Sequence, residues 1–466
     1  MQVLQRIFAV QNTKCLRGML RHFCYKPIKR PTLNIPAKSR VAAQADAEKN
    51  QSLSNVLKTL ISATGPISVA EYMKHVLTNP NSGYYMLKDV FGEKGDFITS
   101  PEISQIFAEL VAIWCLSEWQ KCGSPGPLQV VELGPGRGTL SQDILRVFAQ
   151  FGLSDKFSLH LVEVSPYLSE LQAKRLCCQH TETKKGDLDS VPYYRKGESV
   201  SGIEIFWYRE IKHVPKSFSI FLAHEFFDAL PIHKFHRTDD NSWQEILIDT
   251  DKTEENHFRF VTSNAKTTML GLFLTRPWID KDVQLPNDIE YSAETEQTID
   301  VMANRIEENG GFALIMDYGH SGEKGDTFRA FKNHKLHNPL VDPGTADVTA
   351  DVNFAHIKMI AEHNNRVVTY GPIEQKDFLS RMGGETRLKN LMDKAASTND
   401  ANLLKSGYDM LTEPLKMGSR FKFFAMFPKI LENHLKKFPV NGFSVPSNKI
   451  MFELMRAFLR LCANDR

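Results

Sequence analysis

The chain has 466 residues, more than one minimal domain needs, and an ordinary globular composition with ample apolar residues for a core. Its 57 Lys and Arg against 55 Asp and Glu give a net charge of +2. Residues 1–45 hold nine of those cations and no acid, so the chain from Asp46 onward carries 48 cations against 55 acids. That remainder has no basic stripe, which argues against nucleic-acid binding, and no stretch long enough to span a membrane.

The leader sets Arg6, Arg17, Arg21, Lys26, Lys29 and Arg30 among apolar residues with no uninterrupted apolar core. An Arg-rich, acid-free, amphipathic start predicts a mitochondrial transit peptide over 1–45 and a location in the matrix. The seven cysteines form no CxxC pair and have no His at ligand spacing, so no metal site is expected.

Residues 50–125 read as an N-terminal helical segment with a lid loop. Leu53, Val56, Leu57, Leu60 and Ile61 give one helix, Gly65-Pro66 breaks it, and Ser68 caps a second through Tyr72, Val76 and Leu77. A turn-rich stretch from Gly92 follows. In it Asp96, Ser100, Pro101 and Glu102 are candidate lid or substrate residues. Ser100 as cap, Pro101 at the first helical position and Glu102 in the first turn predict a helix from Ile103 to Trp119.

Next comes a buried strand, Leu128 to Leu133, with Glu132 near its end, then the turn Gly134-Pro135-Gly136-Arg137-Gly138. Leu140, Ile144, Val147 and Phe151 then share one helical face. Glycine tolerates positive φ and has no Cβ, so this turn can press its backbone against a ligand. A second strand, Phe157 to Val162, ends at Glu163, where a Rossmann-like site grips ribose hydroxyls. The third glycine comes one residue too early for the dinucleotide fingerprint, and no Gly-Lys-Ser/Thr follows for a phosphate loop. The pattern Glu132-x-Gly134-x-Gly136-x-Gly138 instead resembles motif I of class I methyltransferases, which bind S-adenosylmethionine. Glu132, Gly134, Gly136, Gly138 and Glu163 are therefore the candidate cofactor residues.

Further strands are expected at Ile203 to Tyr208, Phe218 to Ala223, Phe312 to Met316, Val367 to Tyr370 and Phe421 to Phe427. They complete an α/β fold, the Rossmann-like seven-stranded sheet of a class I methyltransferase, over 126–430. Two insertions stand over its active edge: an antiparallel meander at 232–265 and a helical stretch at 375–415. Residues 431–466 form an unassigned tail.

Gly95-Asp-Phe-Ile-Thr-Ser-Pro-Glu102, Val131-Glu-Leu-Gly-Pro-Gly-Arg-Gly-Thr139, His224-Glu-Phe-Phe-Asp228-Ala-Leu-Pro231 and Gly344-Thr-Ala-Asp347-Val-Thr-Ala-Asp351 together resemble the signatures of the MidA family, across roughly residues 55–430. With its leader the chain is similar to the family's animal mitochondrial branch. That resemblance implies an S-adenosylmethionine-dependent protein arginine methyltransferase required for respiratory complex I assembly. Its implied product is symmetric dimethylarginine, on a complex I subunit or assembly intermediate. A cofactor-binding assembly chaperone and a small-molecule methyltransferase stay open as alternatives.

Methyl transfer to arginine asks mostly for positioning and exclusion of water. The guanidinium is always protonated, so carboxylates must hold its N–H fork. Glu225 and Asp228 after the fourth strand are the best-placed pair, and Asp317 after the fifth comes next. His224 and His320 read as ordinary loop histidines.

Overall fold

The computed structural model describes residues 53–86, 98–183, 191–251, 253, 257–279 and 285–444. The expected transit peptide, Asp96 with most of the expected lid loop, and residues 445–466 lie outside the described residues.

Strands β1 (Leu128–Leu133), β2 (Phe157–Val162), β3 (Glu204–Tyr208), β4 (Phe218–His224), β5 (Gly311–His320), β6 (Val367–Glu374) and β7 (Phe421–Pro428) lie in one sheet. Their spatial order is 6-7-5-4-1-2-3. The first five strands are parallel, and β7 runs antiparallel between β5 and β6. β1, β4 and β5 are buried along nearly their whole length, which is why they read as continuous apolar runs rather than alternating ones. Among the described residues the sheet has ten strands, the seven expected and three more. Gln179–Glu182 and Arg195–Glu198 extend it beyond β3, and Val352–Asn353 pairs with β5. The extra hairpin is polar and lacks an apolar alternation, so its sequence gives no strand signal.

The chain moves from β1 through β2 to β3 on one side, then returns to β4 beside β1 on the other. The carboxyl ends of β1 and β4 thus flank the point where strand order reverses, the place where open α/β sheets bind ligands. One face of the sheet packs on the helix Gln105–Lys121, with Trp114 edge-on to Phe312 at 5.4 Å. The helices Ala293–Asn309 and Phe354–Glu362 supply Ile299, Met302, Ile306, Ile357 and Ile360 to the core on the other face. Glu109 on the first helix is buried and paired with Arg146 at 3.0 Å and Arg387 at 2.8 Å. Removing both arginines would leave a buried charge uncompensated, at a cost of about 3–5 kcal/mol.

Residues in both expected insertions have the secondary structure anticipated for them. His233–Arg237, Trp243–Thr250 and Phe258–Thr262 pair antiparallel, and Ile67–Ser68 and Asp288–Tyr291 complete a five-stranded sheet. Gln375–Arg381, Gly384–Met392 and Thr398–Thr412 are helices. Ser68 caps Val69–Thr78 as expected, its hydroxyl accepting from Glu71 N–H at 3.1 Å. The start of the next helix differs. Thr99, not Ser100, is the cap of a short turn Ser100–Ile103, closed by a capping box with Glu102. Ser104 then caps Gln105–Lys121, so one expected helix is two. Ser, Thr and Pro at neighbouring positions all signal a helix start, and local preference alone does not choose between them.

Candidate active site

Two turns face each other across the carboxyl edge of the sheet. The first follows β1. Gly134, Gly136 and Gly138 have φ of 60°, 55° and 75°, values that suit glycine and strain other residues. Gly134 N–H donates to Val162 at 3.0 Å, tying the end of β1 to that of β2. A Cβ on Gly134 would stand 2.8 Å from Cδ2 of Phe226, so the facing turns approach too closely for any side chain there.

Glu163, just past β2, is buried and accepts from Ser165 N–H at 2.7 Å and from the Gln172 amide at 3.0 Å. The same amide donates to Gly136 O at 2.7 Å, while Trp207 donates to the Gln172 carbonyl at 2.9 Å. Gln172 thus clamps the glycine turn to the acidic residue, a role that sequence reasoning missed. Its signal was a fully buried amide on the helix Pro166–Leu176, and no spacing marks that. Burial pushes the Glu163 carboxyl up to about 7, against the hydrogen bonds from Ser165 and Gln172.

The second turn follows β4. Glu225 has φ 48°, a conformation that costs a non-glycine residue energy and concentrates at functional sites. Its N–H donates to Met316 at 3.0 Å. Oε1 of Glu225 is buried without a hydrogen-bond partner, with Nε2 of His224 3.5 Å away. Burial first, then Asp228, with Glu102 and Asp347 adding, hold this carboxyl well above the usual range. Asp228 is raised to about 6 by burial; the Thr349 hydroxyl, donating at 3.0 Å, and Arg329 oppose the rise. Asp347 accepts from the Tyr85 hydroxyl at 2.7 Å. Burial lowers His224 to about 3, so its imidazole is neutral at physiological pH.

A cavity of about 1530 Å³ lies between the turns. Gly134, Gly136 and Glu163 line one side, and Glu225, Asp228 and Tyr318 the other. Glu132, Gly138, Asp317, Ser100, Pro101 and Glu102 are not among its lining residues. Glu132 is buried beneath the glycine turn, takes the Ser141 hydroxyl, and is raised to about 7 by burial. Gly138 caps the helix Thr139–Gln150. Asp317 is fully buried and is used differently from the substrate carboxylate expected. Its Oδ2 accepts from Phe226 N–H at 3.1 Å and Phe227 N–H at 2.9 Å, anchoring the strained turn from below.

The Thr99–Ile103 turn joins the two halves. Glu102 pairs with Arg137 of the glycine turn at 3.1 Å, while the Ser100 backbone and Glu102 both act on the charge of Glu225. Ser100 and Pro101 are buried and do not line the cavity.

Residues 110–373 match the profile of a family described as S-adenosyl-L-methionine-dependent methyltransferases. The chain belongs to this family. Its relatives include a Drosophila melanogaster protein named as a mitochondrial protein arginine methyltransferase NDUFAF7 homolog, 52% identical over 92% of this chain and 98% of that one. The human mitochondrial protein arginine methyltransferase NDUFAF7 is 49% identical over 79% of this chain and 81% of its own. A solved structure of a Burkholderia thailandensis protein bound to S-adenosyl-homocysteine superposes with a TM-score of 0.64 at 20% identity, over 85% of this chain and 96% of that chain. The fold is that of the methyltransferases, the cofactor is S-adenosylmethionine, and the protein is mitochondrial. The methyltransferase turn suits this phosphate-free cofactor. Gly134 and Gly136 border the cavity with bare backbone, and the cation within the turn, Arg137, is already paired with Glu102. Among the described residues no helix is long and apolar enough to cross a membrane.

Proposed function

We propose that the protein is a protein arginine methyltransferase of the mitochondrial matrix, forming symmetric dimethylarginine on a respiratory complex I subunit or assembly intermediate. The names of its close relatives support arginine as the acceptor. The resemblance to the animal mitochondrial MidA proteins supports complex I as the destination. One observation carries the reading at the site: the partnerless, buried Oε1 of Glu225 on the cavity wall, crowded by Asp228 and Asp347. A buried carboxylate oxygen without a donor is costly. Its raised pKa marks a place that lacks a cation.

A guanidinium supplies what is missing. Its planar fork donates two parallel N–H bonds, and its fixed charge favours ionisation of Glu225 as it binds. Asp228, held by Thr349, takes a second N–H and leaves one nitrogen pointing into the cavity. Asp317 touches no substrate; it fixes the turn from which Glu225 projects. Glu163, locked by Gln172, orients the ribose, and the glycine turn takes the amino-acid end. When bound, the cofactor supplies an electrophilic methyl for in-line transfer. Each transfer releases one proton from the nitrogen, and Glu225, whose carboxyl lies high, accepts it. The neutral imidazole of His224 adds no opposing charge.

The test is transfer of labelled methyl from S-adenosylmethionine to purified complex I subunits and assembly intermediates, with the product arginine resolved by mass spectrometry. Symmetric dimethylarginine on one subunit supports the reading. Cofactor binding without any transfer to protein would assign the chain to the chaperone class. Transfer only to small molecules would overturn the protein substrate.

A further inference from the structure

The helix Thr398–Thr412 forms one wall of the cavity and carries an apolar stripe out of it. Ser406, Gly407 and Met410 line the cavity. Leu403 lies one turn before them on the same face, because residues three, four and seven apart superpose on a helix. Leu403 is 63% exposed, and Leu415, in the tight turn after the helix, is 90% exposed. Few soluble proteins leave several large apolar side chains in one patch without a use. The close end of the stripe is fixed against the site itself. A Cβ on Gly407 would stand 3.0 Å from Ile103 O, the last carbonyl of the turn whose Glu102 pairs with Arg137 of the glycine turn.

We infer that exposed Leu403 and Met410 on this helix, with exposed Leu415 just beyond its end, form the docking surface for the polypeptide that delivers the target arginine, and that it takes apolar side chains flanking that arginine. This rests on the arginine reading above. A polypeptide whose guanidinium reaches Glu225 and Asp228 must cross the rim of the same cavity, and this helix forms part of that rim. Charge and apolarity are divided along the path: carboxylates inside, leucines at the mouth. A chain with one cation between apolar neighbours matches both. The geometry also sets a spacing. Leu403 and Met410 are separated by about 10 Å of helix, which an extended chain covers in about three residues. The favoured substrate therefore has apolar residues about three positions apart on one side of its arginine.

The experiment uses the full chain loaded with S-adenosyl-homocysteine and fluorescent peptides with a central arginine flanked by leucine or by serine. The wild type is expected to bind the leucine-flanked peptide at least tenfold more tightly. Leu403→Ser with Leu415→Ser is expected to remove that preference, with cofactor affinity and melting temperature unchanged. Replacing the central arginine by methionine separates the two claims. If binding still depends on the leucines but not on the arginine, the docking surface stands and the arginine reading falls. Equal binding of both flanking types by the wild type overturns the docking surface. So does a wild type that is a dimer in solution and becomes monomeric in the double variant, since the stripe would then face a second copy.

Discussion

The two turns at the carboxyl edge solve one geometric problem in opposite ways. After β1 the positive φ falls on glycines, and the nearby acid, Glu163, has both oxygens bonded by Ser165 and Gln172. After β4 the positive φ falls on Glu225 itself, and one of its oxygens has no partner. The cofactor side is relaxed and satisfied before anything binds. The acceptor side is strained, acidic and short of a donor. Hydrogen bonds made in advance keep a permanent cofactor site in shape, whereas unmet demand is what a transient cationic substrate relieves.

The comparison can be broken most severely at Gly136. Gly136→Val puts a β-branched residue at φ 55° against the cavity, so S-adenosylmethionine binding should be abolished while the fold persists. Wild-type affinity by calorimetric titration of that variant would sink the cofactor assignment to this turn.

Glu163→Ala should come next. Loss of charge-assisted bonds from a buried acid is worth about 1.5–3 kcal/mol, so the cofactor dissociation constant should rise by about one to two orders of magnitude. Gln172→Leu should follow in the same direction by a smaller amount, because it loosens both the turn and Glu163; an unchanged constant would deny the clamp its role.

Glu225→Gln keeps shape but removes the anion. Cofactor affinity should survive while single-turnover methyl transfer to protein falls by about tenfold or more. Normal transfer would move the acceptor role to Asp228. Cofactor loss as severe as in Glu163→Ala would mean that the two turns are not separate sites.

The smallest effect concerns pH. Asp228 is raised to about 6, so it is neutral below that value and anionic above it. Binding of an arginine peptide should strengthen several-fold as pH rises through about 6, and Asp228→Asn should flatten that limb. Stability moves the opposite way. An acid whose folded pKa exceeds its unfolded pKa of about 3.9 binds more protons when folded, so it destabilises the fold increasingly from about pH 4 to about pH 6. The gain in melting temperature of Asp228→Asn should therefore grow across that window. A gain that is constant with pH would show that Asp228 does not titrate there.

Sequence by itself determined whatever is written in contiguous residues. A strand, a glycine turn, a helix and an acid at the end of the next strand are local patterns, and Gly134, Gly136 and Glu163 meet at the cavity as their order predicted. The central strands were legible for the same reason: buried parallel strands are apolar runs. Tertiary structure decided what depends on partners far along the chain. Whether Asp317 touches substrate or anchors a turn depends on the N–H groups of Phe226 and Phe227, some ninety residues earlier. The clamp by Gln172 needs Gly136 and Trp207 together, and the tie from Glu102 to the glycine turn needs Arg137. The missing partner of Glu225 is a property of everything packed around it. No local preference encodes an absence, and burial, which sets the charge of these carboxylates, exists only once the sheet and its helices have packed.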